Sequence, residues 1–376
     1  MKQLAAALLA ASLLLCPAGA VSSAPQAEAS AAVLMEKETG TLLYEQNAHD
    51  KLEPASVTKV MTLLLVVEAI DDGRLGLDDL VTVSAHAASM GGSQVYLKEN
   101  EQMTVQDLLK AVTVVSGNDA AVALAEHLAG SEEAFVADMN ERAAELGMAD
   151  TTFLNCTGLP AAGHLTSAYD IALMSRALIG HPMIREYSTI WMDSIRNGAF
   201  QLSNTNKLIR FYPGATGLKT GSTDSAGYCL SATAERDGME LIAVILHSPT
   251  SAQRFDSAKR LLDFGFANYT LADIRPNQAL PPVDVILGRK EQVQPELSAS
   301  SRLLVEKDQI NQLSTQLELC QDVEAPVEKG QILGHLVVTV GGEERERIPI
   351  VACEAVERVT VPGIFLDFLQ RLFLAA

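Results

Sequence analysis

Residues 60–67 set the strongest constraint on any fold this chain can adopt. Val60, Met61, Leu63, Leu64, Leu65, Val66 and Val67 follow Pro54 within a few positions, and the run has no polar face. A helix that is apolar nearly all round belongs inside a protein, with the rest of the chain packed about it. Pro54 suits the first turn of such a helix, where its missing N–H loses no intrahelical partner. Ser56 then lies in the first turn, among unpaired N–H groups and the positive end of the helix dipole, which favour an oxyanion. Lys59 falls one turn later on the same face, because residues i and i+3 are neighbours on a helix. Burial destabilises an ammonium, so a lysine placed there can lose its proton and serve as a base for the serine. A capping serine and a snorkelling lysine produce the same four-residue pattern. The pair acquires chemical meaning only with partners elsewhere in the chain.

The length of 376 residues allows two domains. A hydrophobic content of 48% and a charged content of 20% are those of an ordinary globular protein. The formal charge of −19 argues against nucleic acid as a partner, which calls for a basic patch. At the N-terminus, Met1 and Lys2 precede a twelve-residue apolar stretch from Leu4 to Leu15, too short to span a bilayer. Small residues at Ala18–Ala20 and Ser22–Ala24 fit a signal-peptidase site, so residues 1–24 read as an export signal cut after Ala20 or Ala24. Cys16 lies in that signal. Cys156, Cys229, Cys320 and Cys353 are too few for a disulfide scaffold. No Cys-x-x-Cys or His-x-x-x-His spacing occurs, and the sequence implies neither a metal nor a cofactor.

The remaining pattern is α+β. Residues 31–35 and 41–45 read as a hairpin turning at Glu38-Thr39-Gly40. Helical spacing recurs over 105–115, 120–128, 133–146 and 170–178. Strands are expected at 227–234 and 239–246, joined by Arg236-Asp237-Gly238, and then a closing helix over 252–263. A helical subdomain inserted into an antiparallel sheet accounts for that order. Beyond about Tyr269 prolines interrupt the chain, and short strand-like runs follow at 283–287, 301–305, 316–319, 334–340 and 348–352. The expected division is a catalytic domain over 25–270, a small β domain over 271–360 and a terminal amphipathic helix over 361–376. From 362 onward the segment is apolar around most of its circumference, leaving a strip of Asp367, Gln370 and Arg371. Thirteen helical residues reach about 20 Å, so the segment suits a membrane surface rather than a span.

The partners of Ser56 and Lys59 stand in two further stretches. Ser116-Gly117-Asn118-Asp119 lies between two helical patterns, and Lys219-Thr220-Gly221-Ser222 lies ahead of the strand at 227. Each is weak alone; in this order and spacing they form the motif set of serine penicillin-interacting enzymes. With Asn155-Cys156-Thr157-Gly158-Leu159, His164-Leu165-Thr166-Ser167-Ala168-Tyr169-Asp170 and Leu262-Asp263-Phe264-Gly265-Phe266, the chain resembles the D-alanyl-D-alanine carboxypeptidases among low-molecular-mass penicillin-binding proteins (peptidase family S11). The resemblance spans most of the mature chain and implies a transpeptidase-type fold followed by a small β domain.

It also implies roles. Ser56 would be the nucleophile toward the carbonyl between two D-alanines of a peptidoglycan stem peptide. Lys59 would be its base, held neutral by burial and by the charge of Lys219. Ser116 would relay a proton to the leaving amine, and Asn118 would hold the substrate backbone and Lys59. Lys219 and Thr220 would receive the terminal carboxylate on a strand edge, with Gly221 and Ser222 beside it. Backbone N–H groups of Ser56 and Ser222 would form the oxyanion hole. β-Lactams would be covalent inhibitors. A class A β-lactamase shares the three motifs but adds a Glu-x-x-Leu-Asn element, where this chain has Glu145-Leu146-Gly147. The same residues would also suit endopeptidase action on cross-links, or a non-catalytic scaffold that binds the wall.

Overall fold

A computed structural model of the chain describes residues 25–298, 301–360, 362 and 363. The expected signal at 1–24 and nearly all of the expected terminal helix lie outside them. Strands β1 (Ala31–Glu36) and β2 (Leu42–Gln46) form the first hairpin. After the apolar helix α1 (Lys59–Asp71) come α2 (Val105–Val114), α3 (Asn118–Ala129), α4 (Glu132–Glu145) and α5 (Ala168–Leu178). Strands β3 (Ala215–Thr223), β4 (Gly227–Arg236) and β5 (Met239–Ser248) then return to the first hairpin, and α6 (Ser251–Asn268) closes the unit. The five strands make one antiparallel sheet in the order β2-β1-β5-β4-β3. Asp237 and Gly238 both take positive φ, 51° and 75°, as a tight hairpin between β4 and β5 requires.

The period-two alternation of a strand sends its residues to two separate cores. Val33 and Met35 of β1, with Ile242, Val244 and Leu246 of β5, face the helical subdomain and its buried α1. Ala32, Leu34, Leu241, Ala243 and Ile245 face the other way, against Phe255, Ala258, Leu261 and Leu262 of α6. The sheet is therefore covered on both sides, which is why β5 is nearly continuous apolar sequence. In α1 the side chains of Val60, Met61, Leu63, Leu64, Val66, Val67 and Ala69 are all fully buried. The all-apolar run is the centre of the helical layer.

Two helix ends depart from the sequence reading. Pro54 precedes the helix rather than opening it, and Ala55–Thr58 form a separate 3-10 turn ahead of Lys59. Ala55 has φ +49°, a left-handed conformation that cannot continue from or into an α-helix. The closing helix is longer than its apolar spacing suggests, running to Asn268, where Asn268 Nδ2 turns back to donate to Phe264 O at 2.7 Å.

Strand Tyr269–Ile274 leads out of α6 and pairs antiparallel with Ser301–Glu306. The rest of the C-terminal region holds a four-stranded sheet, in the order Pro295–Leu297, Glu343–Ala352, Ile332–Val340, Leu313–Leu319. A three-stranded sheet of Gln292–Val293, Val283–Ile286 and Asp322–Glu324 lies beside it. Two small apolar clusters stabilise this all-β part, one around Val293, Val327 and Ala352, the other around Leu336, Val338 and Ile350. Arg302 joins it to the first unit, donating to Glu38 at 2.8 Å and to the Gly238 carbonyl at 3.1 Å. No helix among the described residues is long and apolar enough to cross a membrane.

Candidate active site

The 3-10 turn presents Ser56 half-exposed at the N-terminal end of α1, while Lys59 is fully buried. Lys59 Nζ lies 3.1 Å from Ser56 Oγ, and it donates to Asn118 Oδ1 at 2.6 Å and to the Thr157 carbonyl at 2.7 Å. A neutral amine has two N–H groups and one lone pair. With both N–H groups taken by the two carbonyl oxygens, the lone pair faces the Ser56 hydroxyl. Burial lowers the Lys59 pKa to about 7, against opposing pulls from Cys156 and Asp119, so the neutral form is accessible near neutrality.

Each partner is fixed in turn. Asn118 opens α3, and its Nδ2 donates to Gly91 O at 2.7 Å while its backbone N–H donates to Ser93 O at 2.7 Å. The buried Asp119 carboxylate accepts from the backbone N–H groups of Val95 and Leu97 at 3.0 Å, fastening the same loop. Ser116 occupies the link between α2 and α3 at φ +64°. Its hydroxyl is buried and has no hydrogen-bond partner among the described residues. A polar atom left so is costly, and it is available to a group entering the site.

The Thr157 carbonyl comes from a loop that Asn155 shapes, its Oδ1 accepting from Thr157 N–H, Thr157 Oγ1 and Gly158 N–H at 3.2, 3.1 and 2.7 Å. Gly158 is required there twice over. It has φ +79°, and a Cβ on it would lie 1.9 Å from Ala55 O.

Across Ser56 runs β3, the edge strand of the sheet. Gly221 faces the serine so closely that a Cβ on it would lie 2.8 Å from Ser56 N and 3.0 Å from Val57 N. Lys219 is 1% exposed, and its Nζ donates to Thr220 O at 2.8 Å. Burial holds its pKa well below the usual lysine range, and the charges of Lys59 and Arg254 push it further down. Burial is thus the first cause at both lysines, and the closeness of the two ammonium groups adds to it. Thr220 Oγ1 is 2.7 Å from Thr205 Oγ1, and Ser222 is exposed at the end of the strand. Ser56, Lys59, Ser116, Asn118, Lys219, Thr220, Gly221 and Ser222 are therefore carried by four places in the fold: the 3-10 turn with α1, the α2–α3 link, the start of α3, and β3. Among the described residues no three His, Cys, Asp or Glu side chains gather into a metal site.

Sequence reasoning assigns no role to four contributors. Thr157 acts through its carbonyl, and the signal for it is the Asn155-x-x-Gly158 spacing. Asp119 lies inside the Ser116–Asp119 motif. Thr205 reaches Thr220 from a loop of ordinary residue types. Arg254, buried on α6, donates to Gly221 O and Cys229 O at 3.1 Å and thereby ties β3 to β4 behind the site.

This arrangement matches known proteins along most of the chain. A family model described as D-alanyl-D-alanine carboxypeptidase matches residues 18–250, and one described as penicillin-binding protein 5, C-terminal domain, matches residues 274–358. D-alanyl-D-alanine carboxypeptidase DacF of Bacillus subtilis is 41% identical over 349 residues, covering 92% of this chain and 89% of its own. The crystal structure of penicillin binding protein 5 from Haemophilus influenzae superposes with a TM-score of 0.78 at 30% identity, covering 89% of this chain and 99% of that one. Penicillin-binding protein D2 from Listeria monocytogenes, solved in an ampicillin-bound form, is 36% identical with a TM-score of 0.59, covering 64% of this chain and 98% of that one. With its motif set assembled around Ser56 and a family model matching well over half its length, the chain belongs to the D-alanyl-D-alanine carboxypeptidase family, peptidase family S11.

Proposed function

We propose that the protein is a serine-type D-Ala-D-Ala carboxypeptidase that removes the terminal D-alanine from peptidoglycan stem pentapeptides through an acyl-enzyme on Ser56. The observation that carries this reading is the Lys59 nitrogen, which lies 3.1 Å from Ser56 Oγ and donates to Asn118 Oδ1 and the Thr157 carbonyl; in its neutral form these two bonds leave the lone pair for the Ser56 proton. Ser56 Oγ attacks the carbonyl carbon of the penultimate D-alanine as its proton passes to Lys59. The oxyanion is stabilised by the backbone N–H groups of Ser56 and Ser222. When the C–N bond breaks, the leaving amine takes a proton relayed by Ser116, whose hydroxyl is otherwise unpartnered among the described residues. Water then hydrolyses the ester, releasing the shortened peptide and restoring Ser56.

Lys219 and Thr220 receive the terminal carboxylate, with Thr220 oriented by Thr205. A carboxylate beside Lys219 offsets the burial and repulsion that depress its pKa. Lys219 then carries the charge while Lys59 stays neutral. Asn118 and the Gly221–Ser222 segment of β3 hold the substrate backbone. β-Lactams, whose strained amide occupies the same place, acylate Ser56 and persist.

The protein functions outside the cell membrane after removal of residues 1–24, with 25–270 catalytic and 271–360 a small β domain. Residues 362–376 rest on the outer face of the cytoplasmic membrane without crossing it, supported by their apolar circumference. The test is product analysis: a linear pentapeptide ending in D-Ala-D-Ala should lose one D-alanine, and a cross-linked dimer should stay intact. Cleavage of the dimer at the faster rate would replace carboxypeptidase by endopeptidase.

A further inference from the structure

His164 is buried beneath the Ser56 turn, 3% exposed, and the mechanism above makes no use of it. Residues 164–166 thread between two other segments as isolated bridges, Thr166 with Leu52 and Leu165 with Thr152, and this fixes the imidazole from its backbone outward. Its Nδ1 accepts from the Leu154 backbone N–H at 3.1 Å. The proton must then be on Nε2, which lies 2.8 Å from Thr58 Oγ1. Thr58 Oγ1 in turn donates to Ala55 O at 2.9 Å. The direction of the chain is forced: Leu154 N–H to His164, His164 to Thr58, Thr58 to Ala55. Burial lowers the His164 pKa to about 4, so the neutral imidazole that this chain requires is present at ordinary pH.

The chain ends where geometry matters most. Ala55 immediately precedes Ser56 and holds φ +49°, a conformation disfavoured for a residue with a side chain. Its carbonyl accepts from Thr58, and Gly158 packs so tightly on the same oxygen that no Cβ fits. The loop of residues 154–159 therefore serves the site through two contacts. The Thr157 carbonyl seats Lys59, and the Leu154 N–H, through His164, seats the peptide before Ser56.

We propose that His164 is a positioning residue for acylation, its Nε2–H acting through the Thr58 hydroxyl to hold the Ala55 peptide that orients Ser56. The proposal rests on Ser56 being the nucleophile. It requires no proton transfer by His164 and no contact between His164 and substrate.

Two substitutions separate this role from bulk packing. His164→Gln places its amide nitrogen near the position of Nε2 and keeps a donor for Thr58. His164→Asn places its amide near Nδ1, keeps a group for Leu154, and leaves Thr58 without that donor. Acylation by a fluorescent penicillin, kcat and KM on a D-Ala-D-Ala peptide, and Tm should be measured on each, with Ser56→Ala beside them. The Asn variant should acylate about ten-fold more slowly, the value of one lost hydrogen bond, with KM little changed. The Gln variant should recover to within about three-fold of wild type. Thr58→Val should slow acylation similarly, and adding His164→Asn to it should cost little more, because both act through one contact. Should His164→Asn not fold, Thr58→Val alone and with His164→Gln gives the same comparison. Equal rates in the Gln and Asn variants, or additive losses with Thr58→Val, would overturn the role of His164. Label on Ser56→Ala would instead overturn the nucleophile assignment beneath it.

Discussion

Acylation of Ser56 should rise with pH along a single limb centred near the Lys59 pKa of about 7. Complete burial moves that pKa from its ordinary 10.5 to about 7. The shift is a bias of roughly 5 kcal/mol against the ammonium form. Only the neutral amine has a lone pair for the serine proton. About one molecule in ten should be competent at pH 6 and about one in a hundred at pH 5, so acylation should fall by those factors. Lys59→Arg should remove the limb and lower the plateau by about 100- to 10,000-fold, since arginine stays protonated.

The same shift has a sign in stability. The unfolded lysine binds more protons than the folded one between about 7 and 10.5, so this group makes stability climb with pH across that window. Its penalty is full below the folded pKa and gone above the unfolded one. Second-order acylation rates with a fluorescent penicillin from pH 5 to 8.5 give the kinetic limb. A flat profile across that range, or a limb near 10, would refute the assignment of the buried, twice-donating nitrogen as the base.

Lys219→Arg should keep measurable activity, with the loss appearing mainly in KM for the peptide, because a cation still faces the carboxylate; a kinetic signature matching Lys59→Arg would refute the separate roles. Gly158→Ala should destabilise the fold by at least about 2 kcal/mol, since the added methyl would sit 1.9 Å from Ala55 O at φ +79°; thermal melts at wild-type Tm would contradict it. A chain ending at Val361 should hydrolyse small D-Ala-D-Ala substrates at a near-normal rate and stay in the supernatant with lipid vesicles, while the full-length mature protein sediments even at high salt; equal partitioning of the two would remove the anchor role of residues 362–376.

Much of the site is legible in the sequence because its chemistry depends on side-chain type at short spacing. Ser56 and Lys59 meet because they are three residues apart where the 3-10 turn runs into α1, and the apolar run after them announces that the lysine is buried. Asn118 is readable from its place between two helical patterns. The strand-edge position of Lys219 is readable from the hairpin that follows it.

Other features leave weaker marks. The Thr157 carbonyl could belong to any residue, so only Asn155 and Gly158 betray the loop that aims it. The positive φ of Ala55 is imposed by contacts with Thr58 and Gly158, the latter from a distant part of the chain, and local propensity points instead to an unbroken helix. Arg254 lies on a helix whose apolar spacing identifies its core face, yet its hydrogen bonds to β3 and β4 depend on tertiary packing. The strand Tyr269–Ile274 escapes a local reading because its partner, Ser301–Glu306, is some thirty residues away.

Whether Ser56 forms the covalent intermediate is decided by intact-mass measurement after brief exposure to a penicillin. One adduct per wild-type molecule is expected, located by peptide mapping to Ser56. None is expected on Ser56→Ala, whose fold should be retained, since losing a hydroxyl from that first turn costs about 1 kcal/mol or less. A stoichiometric adduct on Ser56→Ala, or one mapped to another residue in the wild type, would contradict the assignment.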